Sequence, residues 1–136
     1  MSIQIDNTGI GAGPFLTMAI DATKGFTQAD IDANYTACVI SGDNEVGMGT
    51  AGSRLFGKIV WVSTDLIPGT SQPTLCAVQA RGVARFPYST PTPVVNQMVE
   101  VDGAGKVRLA SAGGHLMHGQ VIAVNTTDTT CDVWLG

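Results

Sequence analysis

The residues of this chain whose types and spacing could do chemistry are two imidazoles, three thiols and a glycine cluster. In His115-Leu116-Met117-His118 the imidazoles stand three apart, which on a helix would put both on one face and let them bind a metal. Gly113 and Gly114 before them and Gly119 after them predict a turn instead, and no Glu lies nearby to complete a zinc site or act as a base. A catalytic cysteine needs a His and an electropositive setting. Cys38, Cys76 and Cys131 each fall within an apolar strand pattern, where a free thiol behaves as a small buried hydrophobe. Gly47-Met48-Gly49-Thr50-Ala51-Gly52 matches GxGxxG literally, but a dinucleotide site needs a helix after it and an acid about 20 residues on. Here a strand-like run, Arg54 to Val62, follows, so these read as turn or bulge glycines. Asp30 and Asp32 are a carboxylate pair by spacing alone, at the start of a short helix, and no GxSxG nucleophile elbow is present. The expectation is no catalytic, cofactor-binding or metal-binding residue.

Composition narrows the function classes further. Of 136 residues only 13% are charged, about half the usual ~25%, while 44% are hydrophobic. Disorder needs the opposite balance, so the chain folds, and a surface short of charge suggests that partners cover part of it. The net charge of -4 is unevenly spread: residues 1–45 carry -5, residues 46–108 carry +3, and the remainder carries -2. With three lysines there is no basic stripe for counterion release, which argues against nucleic acid as a partner. No apolar stretch approaches the ~18 residues of a membrane helix. The unpaired cysteine pattern, with no basic n-region and apolar h-region at the start, predicts a reduced intracellular setting.

The elements that must position these residues are strands. Residues 1–14 end in a glycine-rich run closed by Pro14 and read as an extended N-terminal arm. From residue 15 to 136, short β-branched runs cut by turn residues predict a single all-β domain, an antiparallel β-sandwich or barrel of jelly-roll-like kind. Candidate strands are 15–20, 35–40, 55–63, 74–80, 97–101, 106–109, 119–124 and 130–135. One short helix is expected at 27–33, with Thr27 as N-cap and Asp30 at the third position of a capping box. Asp102-Gly103-Ala104-Gly105 and Ser41-Gly42-Asp43-Asn44 read as hairpin turns. The prolines of 87–93 predict a surface loop outside any ladder.

Two stretches about 61 residues apart look alike, 45–62 and 106–124, and the likeness resumes at Thr74-Leu75-Cys76-Ala77-Val78 and Thr130-Cys131-Asp132-Val133. The shared pattern is strand, Ala-Gly turn, Leu with a bulky apolar neighbour, Gly, strand, loop and a Cys-x-Val strand. It predicts a β domain with two similar halves.

The runs Cys76-Ala77-Val78-Gln79-Ala80-Arg81-Gly82-Val83-Ala84, Val99-Glu100-Val101-Asp102-Gly103-Ala104-Gly105-Lys106-Val107, Gly119-Gln120-Val121-Ile122-Ala123-Val124 and Val133-Trp134-Leu135 resemble tailed-bacteriophage capsid decoration (cement) proteins. The likeness spans residues 35–136. It implies a structural virion protein on the outer capsid surface, made in the host cytoplasm, that binds the major capsid protein and itself, as a dimer or trimer, and stabilises contacts between capsid subunits. It implies no cofactor, small-molecule substrate, nucleic acid or membrane. The residues expected to contact capsid or sister subunits are Ile3, Ile5, Ile10, Phe15, Arg54, Arg81, Arg85 and Tyr88. A head-tail connector or tail-tube subunit is the structural alternative. A small enzyme built on His115 or His118, or an OB-like nucleic-acid-binding barrel, represents the other classes.

Overall fold

The computed structural model describes residues 5–111 and 118–136. Ten strands follow in chain order: β1 (Leu16–Ile20), β2 (Ala37–Gly42), β3 (Glu45–Gly47), β4 (Gly57–Val62), β5 (Leu75–Gln79), β6 (Val83–Pro87), β7 (Val99–Val101), β8 (Val107–Leu109), β9 (Gln120–Asn125) and β10 (Thr130–Trp134). The one helix among the described residues, α1 (Gln28–Asp32), opens with the expected capping box, in which the Thr27 hydroxyl accepts from the Asp30 N–H and the Asp30 carboxylate accepts from the Thr27 N–H. Turn chemistry is placed as its residues require. Asn44 takes a positive φ between β2 and β3, and Gly103 and Gly105 do so between β7 and β8.

Strands β1 to β5 close into a barrel in the order β1-β3-β2-β4-β5, in which β1 and β3 run parallel and the other pairs are antiparallel. Strands β6 to β10 repeat it. Antiparallel β6·β10 corresponds to β1·β5, and the hairpins β7·β8 and β9·β10 correspond to β2·β3 and β4·β5. The two remaining seams are reduced to single bridges: Tyr88↔Val107, parallel, where the first half has Ile20↔Val46, and Met98↔Gln120, antiparallel, where the first half has Ala37↔Lys58. Even the irregularity is copied. In β4 the register slips between Ile59 and Trp61, leaving Val60 as the extra residue of a bulge, and the β9·β10 pairing skips Ile122 in the same way. The described residues thus form one five-stranded barrel closed by ladders and a second, like arrangement closed by single bridges, and the two-halves pattern read at 45–62 and 106–124 extends from β1 to β10.

Each barrel has its own core. Met18, Ile20, Phe26, Cys38, Val46, Ile59, Val62, Cys76 and Val78 fill the first; Ala84, Phe86, Tyr88, Val99, Val101, Val107, Val121, Cys131 and Val133 fill the second. Strand β2 serves both. Its alternation turns Cys38 into the first barrel, while Ala37 and Val39 point outward and join Leu55 in the second core.

Several expectations need correction. The all-β barrel architecture with two similar halves is as expected, but it is built from ten strands where eight were read. Strand β6 was expected as no strand at all, and Pro87 as part of a loop. Yet Pro87 is the last residue of β6, opposite Thr130, and the Ser89 N–H donates to the Val107 carbonyl. Proline removes only its own N–H, and the seam uses the donors after it. The arm is not free over its whole length: the Gly9 N–H donates to the Val83 carbonyl and the Val83 N–H to the Ile10 carbonyl, with turns over residues 8–11. Gly82 is required there, since it has φ +76° and any Cβ would collide with the Ile10 carbonyl oxygen.

Candidate functional site

Two surface regions gather residues singled out by sequence, and a third stands out by its exposed apolar side chains. The first is the outward face of β6, β10 and β9. Arg85 on β6 lies opposite Asp132 on β10 and makes two parallel contacts, Nε to Oδ1 at 2.7 Å and Nη2 to Oδ2 at 3.1 Å. Asp6 adds a longer contact to Arg85 Nη2 at 3.7 Å. These hydrogen bonds donated to Asp132, with the Asp132 and Asp6 charges, raise the Arg85 pKa above its ordinary value against the cost of burial. Hydrogen bonds from Thr8 hold the Asp6 carboxyl below the usual carboxylate range, with a smaller contribution from Arg85. A polar cleft of about 600 Å³ lies here, bordered by Ile5, Asn125, Thr126 and Asp128 as well. A fork-to-fork guanidinium–carboxylate pair of this kind fixes the β6·β10 face and the entering chain, so Arg85 is committed within the molecule.

The second region is a groove of about 510 Å³ between the barrels, lined by Val39, Ile40, Ser53, Arg54, Leu55, Phe56, Ala80 and His118. Burial lowers the His118 pKa below its ordinary value, and the Arg54 charge lowers it further. His115, the other imidazole of the pair, lies outside the described residues. Among the described residues no three His, Cys, Asp or Glu side chains come together as metal ligands.

The third region was not singled out by sequence. The outward face of β4, β5 and β1 is apolar: Val60, Trp61, Ala77, Leu75 and Ala19 share it with Thr17, and Trp61 is 56% exposed. The bulge at Val60 is what aims it. Before the bulge Lys58 turns toward the second barrel and donates to the Arg85 carbonyl at 2.7 Å; after it Trp61 faces solvent.

The structure distributes the expected contact residues unequally. Ile5, Ile10 and Phe15 are exposed along the N-terminal segment, as are Arg54 and Arg81. Tyr88 is only 8% exposed and belongs to the second core, so it is no contact residue. Ile3 lies outside the described residues. The three thiols are buried and free. Burial pushes the Cys76 thiol up to about 11 and the Cys131 thiol up to about 12, and raises Cys38 further. A signal for Trp61 did exist in sequence: the repeat puts a Trp in one half where the other has Ala123.

Compared with known proteins, the chain matches no family model and no curated protein sequence.

Proposed function

We propose that this protein is a structural virion component that decorates the outside of a tailed-phage capsid and bridges neighbouring major capsid subunits. The observation that carries the reading is the exposed apolar surface of the N-terminal segment, Ile5, Ile10 and Phe15, in a chain with little charge. Three large apolar side chains left in water along one short segment are suited to burial against a partner. The first barrel is closed and the sheets of the second half are joined by bridges, which leaves few strand edges free for indiscriminate pairing at high density. The chemistry of the buried thiols and of the committed Arg85 adds nothing that would favour an enzyme. The resemblance carried by the runs at 76–84, 99–107, 119–124 and 133–135 supports the same reading.

Particles purified from a lysate on a density gradient test it. The expected result is this chain in numbers comparable with the major capsid protein. A few copies per particle would make it a connector or tail component, and its absence from particles would overturn a virion role. Deleting residues 2–6, which precede the turns bonded to Val83, is expected to leave the fold intact and weaken capsid attachment; unchanged attachment would remove the N-terminal segment from the contact.

A further inference from the structure

The tandem repeat allows one barrel to be read against the other, position by position. Registers place Trp61 opposite Ala77 and Ala77 opposite Thr17 in the first barrel, and Ala123 opposite Asp132 and Asp132 opposite Arg85 in the second. The same outward face is therefore built twice with different chemistry. In the second barrel it carries an ion pair, and the chain's own Ile5 and Asp6 border the cleft beside it. In the first barrel every one of those positions is uncharged, and nothing among the described residues covers Trp61, Val60 or Leu75.

We infer that this face of the first barrel, Thr17, Ala19, Val60, Trp61, Leu75 and Ala77, is the contact between two copies of this chain, packed face to face about a two-fold axis. Three observations favour a second copy as the occupant. The first is charge. The chain is net negative and its first 45 residues carry most of that charge, so copies repel except where a face has none. A face with only apolar and hydroxyl side chains can meet itself without placing like charges together, which an isologous contact requires. The second is area. Val60, Trp61 and Leu75 are 39%, 56% and 44% exposed, and with the flanking Thr17, Ala19 and Ala77 they form a patch on the order of 400 Å². That is about half of the roughly 800 Å² per partner of a stable interface, and Leu66, 53% exposed in the extension of the same hairpin, adds apolar surface beside it. The third is precedent within the chain, where barrel already packs on barrel through outward residues of a strand: Ala37 and Val39 of β2 are buried in the second core. The inference does not rest on capsid binding.

Sedimentation equilibrium of the isolated full chain tests it, with Trp61→Asp, and with Ala77→Cys oxidised at equilibrium. The wild type is expected to be dimeric, and Trp61→Asp to weaken association by at least about thirtyfold, as loss of a central aromatic anchor does. Far-UV circular dichroism of Trp61→Asp should match the wild type, because the side chain it replaces faces solvent. Ala77→Cys lies at the centre of the face and should give a disulfide-linked dimer, against a wild type whose three thiols are buried. A chain that stays monomeric at every concentration overturns the inference. So does a dimer that survives Trp61→Asp. Loss of particle binding in Trp61→Asp while the isolated chain remains a monomer would assign the face to a capsid subunit, which also overturns it.

Discussion

Three thiols in a chain this short invite redox chemistry, and their surroundings withhold it. Cys38, Cys76 and Cys131 point inward between valines and isoleucines, and loss of water raises every one of their pKa values. A thiol-specific disulfide reagent at pH 8 is expected to find no reactive cysteine in the native protein and three after denaturation; fast labelling of the folded chain would contradict their burial. This much was legible, because each Cys sits inside an apolar strand run. Glu100 was not. It alternates with Val99 and Val101 and reads as a solvent-facing residue, yet it is 1% exposed. Its carboxylate accepts from Arg108 Nε at 2.7 Å, from the Ser111 N–H at 2.9 Å and from the Ser111 hydroxyl at 3.1 Å. Burial alone would raise its pKa; the hydrogen bonds from Ser111 and Arg108 outweigh it and hold the carboxyl below its ordinary value. A lowered native pKa adds stability above the unfolded-state value near ~4.3 and loses it as pH falls below that. Arg108→Ala strands a buried carboxylate and is expected to cost about 2 kcal/mol at pH 7. It should also flatten the acid limb of stability against pH. Denaturant titrations at pH 7 and pH 3 check both, and an unchanged acid limb would show that Glu100 is not held by Arg108.

Turns were the most legible elements, because their signals are single residues with a fixed backbone demand. The turn Asp102 to Gly105 does more than join β7 to β8. Asp102 Oδ1 accepts from the N–H groups of Ala104 and Lys106 at 2.8 and 3.1 Å, and its Oδ2 accepts from the Ser89 hydroxyl at 3.0 Å. That last bond ties the hairpin to the end of β6, across the seam that carries the Tyr88↔Val107 bridge. Asp102→Ala is expected to cost about 1.5 kcal/mol by thermal melting, with Asp102→Asn recovering most of it. Equal losses for both variants would mean that the charge, not the bonds, matters. What hid the correspondence of β1 with β6 was composition. Leu-Thr-Met-Ala-Ile and Val-Ala-Arg-Phe-Pro share only inward positions, Met18 with Phe86, and the outward ones differ because one face is bare and the other ion-paired. Strand β3, three residues long, offers too few positions for alternation to show.

Two barrels built alike raise the question of whether they fold as two units, and the packing between them answers it. Ala37, Val39 and Leu55 come from the first barrel's stretch of chain and are buried in the second barrel's core, while Lys58 reaches across to the Arg85 carbonyl. A core that takes residues from both halves cannot be lost by one half alone. The molecule carries its own reporters: Trp61 on β4 belongs to the first barrel and Trp134 on β10 to the second. Chains keeping only one tryptophan, Trp61→Phe and Trp134→Phe, should unfold in denaturant at one common midpoint. Adding Leu55→Ala removes a side chain 1% exposed and is expected to cost about 3 kcal/mol. Its effect should appear equally at Trp61 and at Trp134, even though Leu55 packs only into the second core. If the Trp134 transition alone moved to lower denaturant, the barrels would be independent units linked in series. The shared β2 would then be packing without cooperativity. Coincident shifts would establish that duplication produced one folding unit from two barrels.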